Sequence, residues 1–255
     1  MPSDPPFRRP DRTPPAKDAA SFGTAGITGR IAPPASSPCF AAEFDPSFID
    51  PQQASDVARW RKATRQTLRA ARDGLGVEAR RSVGSAIAEY LAAFLQARFG
   101  DLSGRVISGY WPIKGEPDLR PLLTRWHEGG AIVALPLVET RAAPLVFRRW
   151  TPQTRMQRGI WDIPVPPPGA PIVRPEVALA PLIGWTEDGF RLGYGGGYFD
   201  RSLAALSPRP FTIGIGLQAA RLNTIFPQPH DIALNAIMTE AGLAVPPRHD
   251  GTTGD

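Results

Sequence analysis

The chain has 255 residues, of which 42% are hydrophobic, and this is enough for one core of ordinary domain size. One cysteine, Cys39, excludes an intrachain disulfide, and no apolar run has the length of a membrane span. The net charge of +5 lies in the folded part, because residues 1–50 carry five basic and six acidic side chains. A basic body suits anionic partners such as nucleotides, although a general arginine bias explains the charge equally well.

The composition of the N-terminal region differs from that of the remainder. Residues 1–36 are rich in Pro, Ala, Ser, Gly and Thr and lack hydrophobic periodicity, so we predict a disordered tail. Segment 37–53 contains Phe40, Phe44 and Phe48, which need burial, and we predict that it docks on the folded body without regular structure. An α/β domain is predicted over residues 54–245, followed by a polar tail over residues 246–255. The N-terminus has no apolar secretory signal, so we expect a cytoplasmic protein.

Two long helices are predicted at the start of the domain, over residues 54–74 and 78–99. The second has the apolar spacing of a core helix. The apolar side of the first is predicted from Ala58, Ala63, Leu68 and Ala71. Its other side is basic, with Arg59, Arg61, Lys62, Arg65, Arg69 and Arg72. Because Arg61 and Arg65 are four residues apart, they share one face of the helix.

Apolar runs of strand length alternate with helical segments through the rest of the chain. Strands are predicted over residues 105–111, 131–138, 145–150, 177–183, 211–217 and 232–240, and further helices over 119–126 and 198–206. The alternation predicts an α/β fold: a three-layer, mostly parallel sheet with helices on both faces, similar to the Rossmann arrangement. In such folds ligands bind at the carboxyl ends of the strands.

The most distinctive segment is 189–201, which reads G-F-R-L-G-Y-G-G-G-Y-F-D-R. It lies between a predicted strand and a predicted helix, an arrangement in which loop amides and a helix N-terminus bind phosphate. The spacing matches neither the Walker loop, which needs a following Lys, nor the dinucleotide fingerprint, which needs a third Gly. A simple glycine turn is the alternative. The flanking Arg191, Asp200 and Arg201 favour phosphate binding.

This segment resembles the R-L-G-x-G-x-G-Y-[YF]-D-R motif of the 5-formyltetrahydrofolate cyclo-ligase family, also called methenyltetrahydrofolate synthetases. The resemblance extends over roughly residues 59–240. It implies a carbon–nitrogen cyclo-ligase that converts 5-formyltetrahydrofolate and ATP to 5,10-methenyltetrahydrofolate, ADP and phosphate. Mg²⁺, ATP and a reduced folate, polyglutamylated forms included, are the implied ligands. We expect a monomer with no nucleic-acid or membrane partner.

The resemblance also implies a set of site residues. ATP would be bound by Arg61, Arg65, Arg191, Leu192, Gly193, Tyr194, Gly195, Gly196, Gly197, Tyr198 and Phe199. Folate would be bound by Trp111, Glu116, Trp161, Tyr194 and Tyr198, and Mg²⁺ by Asp200 and Asp231. No side chain acts as a nucleophile, so catalysis would rest on positioning and charge neutralisation.

Several alternatives remain open at the level of sequence. Lys62 is one residue away from the place assigned to Arg61, Glu116 alone fits a helix-entry acid, and Trp161 fits a hydrophobic plug. Gly196 stands where many relatives have Lys, while Ala220 and Asn235 stand where Gln and Asp are frequent. These departures allow an ATP-dependent ligase for another small substrate or a non-catalytic folate- or nucleotide-binding protein. RNA binding is suggested only by the basic charge, and no aromatic-basic signature in the sequence supports it.

Overall fold

The computed structural model describes residues 51–247 of the chain. The predictions for residues 1–50 and 248–255 lie outside the described residues. The helices are α1 (Pro51–Asp73), α2 (Val77–Phe99), α3 (Arg120–Glu128) and α4 (Tyr198–Ala205). The strands are β1 (Val106–Ser108), β2 (Ile132–Leu137), β3 (Val146–Arg149), β4 (Gln157–Arg158), β5 (Pro164–Val165), β6 (Val177–Pro181), β7 (Gly184–Trp185), β8 (Arg191–Leu192), β9 (Phe211–Ile215), β10 (Ala236–Thr239) and β11 (Gly242–Val245).

A seven-stranded sheet in the order β11-β10-β9-β6-β1-β2-β3 forms the middle layer. The strands from β10 to β2 pair in parallel, whereas β11 and β3 pair antiparallel at the two edges. The central strands are buried on both faces, which explains why they appear in the sequence as continuous apolar runs. The prediction of a mostly parallel sheet is confirmed.

Helices cover both faces of this sheet. Ile87, Leu91 and Leu95 of α2 are fully buried, and together with the apolar face of α3 they pack on one face. On the other face, Leu68 of α1 and Leu203 of α4 pack against strand and loop residues. The three-layer α/β architecture predicted from the sequence is therefore confirmed. No helix within residues 51–247 is long and apolar enough to cross a membrane.

Helix α1 differs from its prediction in extent and in orientation. It begins at Pro51, so residues 51–53, which were predicted to be irregular, are helical. Its predicted apolar side is confirmed only at Leu68, because Ala58, Ala63 and Ala71 are exposed while Arg61 and Arg72 are buried. An alanine methyl group buries little area. The two arginines instead find acceptors inside the protein, at Asp231 and Tyr194 respectively.

The connection from β6 to the glycine-rich segment also differs from the prediction of strand, loop and helix. The antiparallel pair β7 and β8 intervenes between β6 and the glycines. Each of these strands has two residues, which is too short for a hydrophobic period to be visible in the sequence. Likewise, β11 adds an edge strand that the sequence analysis did not identify, although it lies within the predicted domain boundary at residue 245.

Candidate active site

The glycine loop, residues 193–197, connects β8 to the N-terminus of α4. Gly195 has φ +97° and Gly197 has φ +62°, and both values favour glycine over residues with a side chain. Within the described part of the chain, no backbone hydrogen bond uses the amides of residues 193–197. Gly195 and Gly196 are exposed. The loop therefore presents unpaired amide donors at the surface, as a phosphate-binding loop requires.

Two arginines flank the glycine loop. Arg65 of α1 donates from Nε to the carbonyl of Gly193 at 2.6 Å. At the other end, Arg201 donates from Nη2 to the carbonyl of Gly196 at 2.6 Å and lies over the Tyr198 ring, 4.8 Å from its centroid. Arg201 thus carries positive charge to the loop at Gly196.

Arg61, the other arginine predicted on this face of α1, does not reach the glycine loop. It donates to Asp231 Oδ2 at 2.5 Å and to the carbonyls of Ile225 and Phe226 at 2.8 and 2.9 Å. Lys62, the alternative to Arg61, is exposed on the outer side of the helix. Of the predicted pair, the structure therefore brings only Arg65 to the loop. Burial raises the pKa of Asp231, but the bonds from Arg61 and the Gln228 amide outweigh it and leave the pKa below its usual value.

Arg191 and Asp200 form a second buried ion pair, with Arg191 Nη2 2.8 Å from Asp200 Oδ2. Arg191 also donates to the Ile232 carbonyl at 3.2 Å and lies over the Phe199 ring, while Asp200 Oδ1 accepts from the Ile232 amide at 3.1 Å. Burial lowers the pKa of Arg191, and Asp200 opposes that shift. These contacts fasten the start of α4 to the 231–232 turn, so Arg191 acts as a support beneath the loop. Leu192 is likewise buried at the end of β8.

The two predicted magnesium ligands are brought close together by this turn, because Ile232, the neighbour of Asp231, binds Asp200. No group of three or more His, Cys, Asp or Glu side chains within residues 51–247 is arranged to hold a metal ion. Asp200 and Asp231 each accept hydrogen bonds from an arginine, yet a carboxylate offers about four lone-pair sites, so each retains capacity for a cation. Their oxygens fit Mg²⁺, whose other ligands would come from phosphate and water.

A buried carboxylate, Glu116, lies beyond the carboxyl end of β1 and is 7% exposed. Its Oε2 accepts from the Ile113 amide at 2.9 Å, whereas its Oε1 has no hydrogen-bond partner within the described chain. Burial raises the pKa of Glu116, and the Ile113 amide, Tyr194 and Arg72 oppose that rise. Glu116 lines a cavity of about 700 Å³ between α2 and residues 112–118.

Glu116 does not serve as a helix-entry acid. Helix α3 begins at Arg120, and the carboxylate that accepts from the Arg120 amide is that of Asp118, at 3.0 Å. An unpaired oxygen on a buried carboxylate is costly unless a donor completes it. The arrangement therefore fits a carboxylate that accepts a hydrogen bond from a ligand.

The predicted aromatic residues lie in two environments. Trp161 is 59% exposed, has φ +58°, and contacts the Tyr198 ring edge-to-face with centroids 5.5 Å apart. This exposure excludes the hydrophobic-plug interpretation and leaves an aromatic face available beside the glycine loop. Trp111 is partly buried against the core, and the Arg120 guanidinium lies 4.9 Å from its ring centroid.

Arg72 is the residue at this site that the sequence analysis missed. It is 3% exposed and donates from Nη2 to the Tyr194 hydroxyl at 2.7 Å, which links α1 to the glycine loop beside Glu116. The signal in the sequence was the helical spacing of Arg61, Arg65, Leu68 and Arg72, which places all four on one face of α1. Because three of these four residues are basic, hydrophobicity did not identify this face as the one that packs against the protein.

Comparison with known proteins identifies relatives of this chain. The family model described as the 5-formyltetrahydrofolate cyclo-ligase family matches residues 57–240. A 5-formyltetrahydrofolate cyclo-ligase of Mycolicibacterium smegmatis is 32% identical over 169 residues, which cover 63% of this chain and 87% of that protein. A protein of the same name from Escherichia coli is 34% identical over 94 residues, which cover 35% of this chain and 52% of that protein.

Solved structures show the same architecture. A 5,10-methenyltetrahydrofolate synthetase of Aquifex aeolicus has a TM-score of 0.61 at 25% identity, covering 76% of this chain and 96% of that chain. Another, from Mycoplasma pneumoniae, has a TM-score of 0.57 at 21% identity, covering 71% and 98% of the respective chains, which establishes likeness of fold. With the family model spanning most of the α/β domain, the chain belongs to the 5-formyltetrahydrofolate cyclo-ligase family.

Proposed function

We propose that this protein catalyses the ATP-dependent cyclisation of 5-formyltetrahydrofolate to 5,10-methenyltetrahydrofolate, with release of ADP and phosphate. Family membership and the names of its relatives support the reaction. One structural observation carries it to this chain: the unpaired amides of the glycine loop lie between Arg65 and Arg201, and Tyr194 of the same loop lies beside Glu116, a buried carboxylate with one unpaired oxygen. The glycine loop thus lies next to both a nucleotide site and a buried carboxylate for a second ligand.

The proposed chemistry needs no protein nucleophile. The formyl oxygen of the folate attacks the γ-phosphorus of ATP, and ADP leaves. N10 of the folate then attacks the activated formyl carbon, the carbon–oxygen bond breaks so that phosphate departs with the former formyl oxygen, and the N10 proton passes to phosphate or water. The amides of residues 193–197 would bind the phosphates, and Arg65 and Arg201 would neutralise charge as it moves toward ADP. Arg61 and Arg191 would act indirectly, by fixing the turn beneath the loop.

On the folate side, Glu116 is proposed to bind the 2-aminopyrimidinone edge of the pterin. That edge presents two adjacent N–H donors, and an ionised carboxylate accepts both with charge assistance. Trp161 and Tyr198 offer aromatic surface for the rings beyond it. Trp111, which follows β1 and packs partly against the core, is proposed as a further folate contact. We propose that polyglutamylated forms of the folate bind as substrates as well.

Mg²⁺ is proposed to arrive with ATP, with Asp200 and Asp231 as its protein ligands. The ion would supply charge neutralisation on the phosphates. Arg61 and Arg191 balance the two carboxylates when no cation is bound. We further propose that the protein acts as a monomer in the cytoplasm.

Separate titrations of the two ligands test the assignment. Calorimetry would measure dissociation constants for MgATP and for 5-formyltetrahydrofolate with wild type, Glu116→Gln and the control Glu176→Gln. Glu176 pairs with Arg105 at the opposite end of the strands. Loss of one charge-assisted contact is worth about 1.5–3 kcal/mol, so we expect Glu116→Gln to weaken folate binding about 10- to 150-fold with MgATP affinity unchanged. Equal weakening of both ligands would mean that Glu116 has a structural role.

A further inference from the structure

Arg72 is a buried cation with few partners. Its guanidinium donates to Tyr194 Oη at 2.7 Å and, at the long distance of 3.5 Å, to the Leu182 carbonyl. Its Nε has no hydrogen-bond partner, and no salt bridge within residues 51–247 involves it. A guanidinium has five donors, and burying it without an anion is costly. The position of Arg72 therefore calls for an explanation other than stability.

The charge of Arg72 acts on the buried carboxylate of Glu116, which has an unpaired oxygen of its own. The Tyr194 hydroxyl accepts from Arg72, and its own proton is free to face the Glu116 carboxylate. A buried cation from α1 and a buried anion from the loop after β1 thus both lie close to one hydroxyl of the glycine loop. Three separate parts of the chain meet at this point.

We propose that Arg72 is a positioning residue for the reaction, and that through Tyr194 it holds the glycine loop and the Glu116 carboxylate in one arrangement. This inference rests on the proposed function and assigns a role to a residue outside the family motif. Tyr194 is 37% exposed and belongs to a loop with unpaired amides, so it needs such an anchor. Binding of the nucleotide to the loop and of folate to the acid pocket would then depend on the same contact.

The charge of Arg72 also favours the ionised form of Glu116, which burial disfavours. The other groups that face this carboxylate are Tyr194 from the glycine loop and Tyr110 and Lys114 from its own loop. Asp73 of α1 and Arg80 of α2 both lie next to Gly115, so one carboxylate and one guanidinium from neighbouring helices also border this loop. Removing Arg72 would raise the pKa of Glu116 further. Since the ionised form accepts the pterin donors, folate binding would then be lost at a higher pH as the solution is acidified.

The test compares Arg72→Met, which keeps length but removes charge and donors, with Tyr194→Phe, which removes only the hydroxyl. Arg59→Met serves as control, because Arg59 is an exposed residue of the same helix. Calorimetry would give dissociation constants for 5-formyltetrahydrofolate across pH and for MgATP. We expect Arg72→Met to weaken folate binding at least about tenfold. We also expect it to raise the pH at which acidification abolishes folate binding, which we call the acidic limb of the binding profile. Arg72→Lys should restore the position of the limb.

The double variant Arg72→Met/Tyr194→Phe is expected to bind folate no more weakly than Arg72→Met alone, because both changes break one contact. Additive losses with an unmoved acidic limb would overturn the inference and leave Arg72 a structural residue. If Arg72→Met does not fold, as judged by circular dichroism, the outcome rests on Tyr194→Phe, which must weaken folate binding for the inference to stand. A wild type that binds neither ligand contradicts the proposed function itself. If the wild type binds both ligands, and Arg72→Met and Tyr194→Phe bind folate as tightly as the wild type does, only this inference is contradicted.

Discussion

Replacing Gly195 by valine tests the glycine loop directly. At φ +97°, a residue with a side chain is strained, and such strain costs about 1–3 kcal/mol. A Cβ at this position would lie 3.4 Å from Cζ and 3.5 Å from Nη1 of Arg65. The two γ-methyl groups of valine would reach further into that guanidinium. The change therefore disturbs both the loop and the arginine that holds it.

With about 1.4 kcal/mol for each factor of ten, this strain corresponds to MgATP binding about 5- to 140-fold weaker, and displacement of Arg65 favours the upper end. The loop is exposed, so calorimetry should detect the loss while far-ultraviolet circular dichroism stays native. Gly104→Val is the matched control, because Gly104 has φ +76° and open space around it, just before β1 at the end of the sheet away from the site. It should lower stability without weakening MgATP binding. If Gly195→Val binds MgATP as tightly as wild type, the loop is only a turn.

Two further predictions concern charges near the loop. Arg201→Ala should weaken MgATP binding about tenfold in calorimetry. Adding Gly196→Lys should restore part of the affinity and Gly196→Gln should not, whereas equal rescue by both would refute a charge effect. The second prediction concerns Asp231, whose pKa is lower in the folded protein than in the unfolded chain. Its ionised form therefore stabilises the fold above the unfolded pKa near 3.9. This stabilisation is lost as the pH falls through the pKa of the folded state. Asp231→Asn should therefore flatten the acidic part of the melting-temperature profile and lower the melting temperature at pH 7, since Arg61 loses its buried anion. An unchanged profile would contradict this linkage.

The parts of the fold that the sequence predicts well are those with long, repeated signals. Strands such as β6 and β9 lie between two helical layers, so their apolar runs are continuous and easy to identify. The β7–β8 pair has no such signal, because its strands are too short to show a period. The sequence therefore predicts the sheet and its layers but not the hairpin that carries the glycine loop.

The orientation of α1 shows why part of the site was missed. Hydrophobicity favoured its alanines as the inner face, but Arg61, Arg65 and Arg72 bind groups that lie 170, 128 and 122 residues further along the chain. Those acceptors exist only once the sheet has formed, and no local pattern reveals them. The family resemblance drew attention to Arg61 and Arg65, because it implied that both bind ATP. Arg72 was not among the residues that the resemblance implied, and only the folded arrangement connects it to Glu116.

The central claim is that the formyl oxygen of the substrate is phosphorylated by ATP and leaves as part of phosphate. The most direct test is to incubate the enzyme and MgATP with 5-formyltetrahydrofolate labelled with ¹⁸O in the formyl group. Mass spectrometry of the phosphate and absorbance of the methenyl product would follow the reaction together. The account predicts one ¹⁸O atom in each phosphate released and one methenyl product for each ADP. Unlabelled phosphate, or ADP formed without methenyl product, would contradict it.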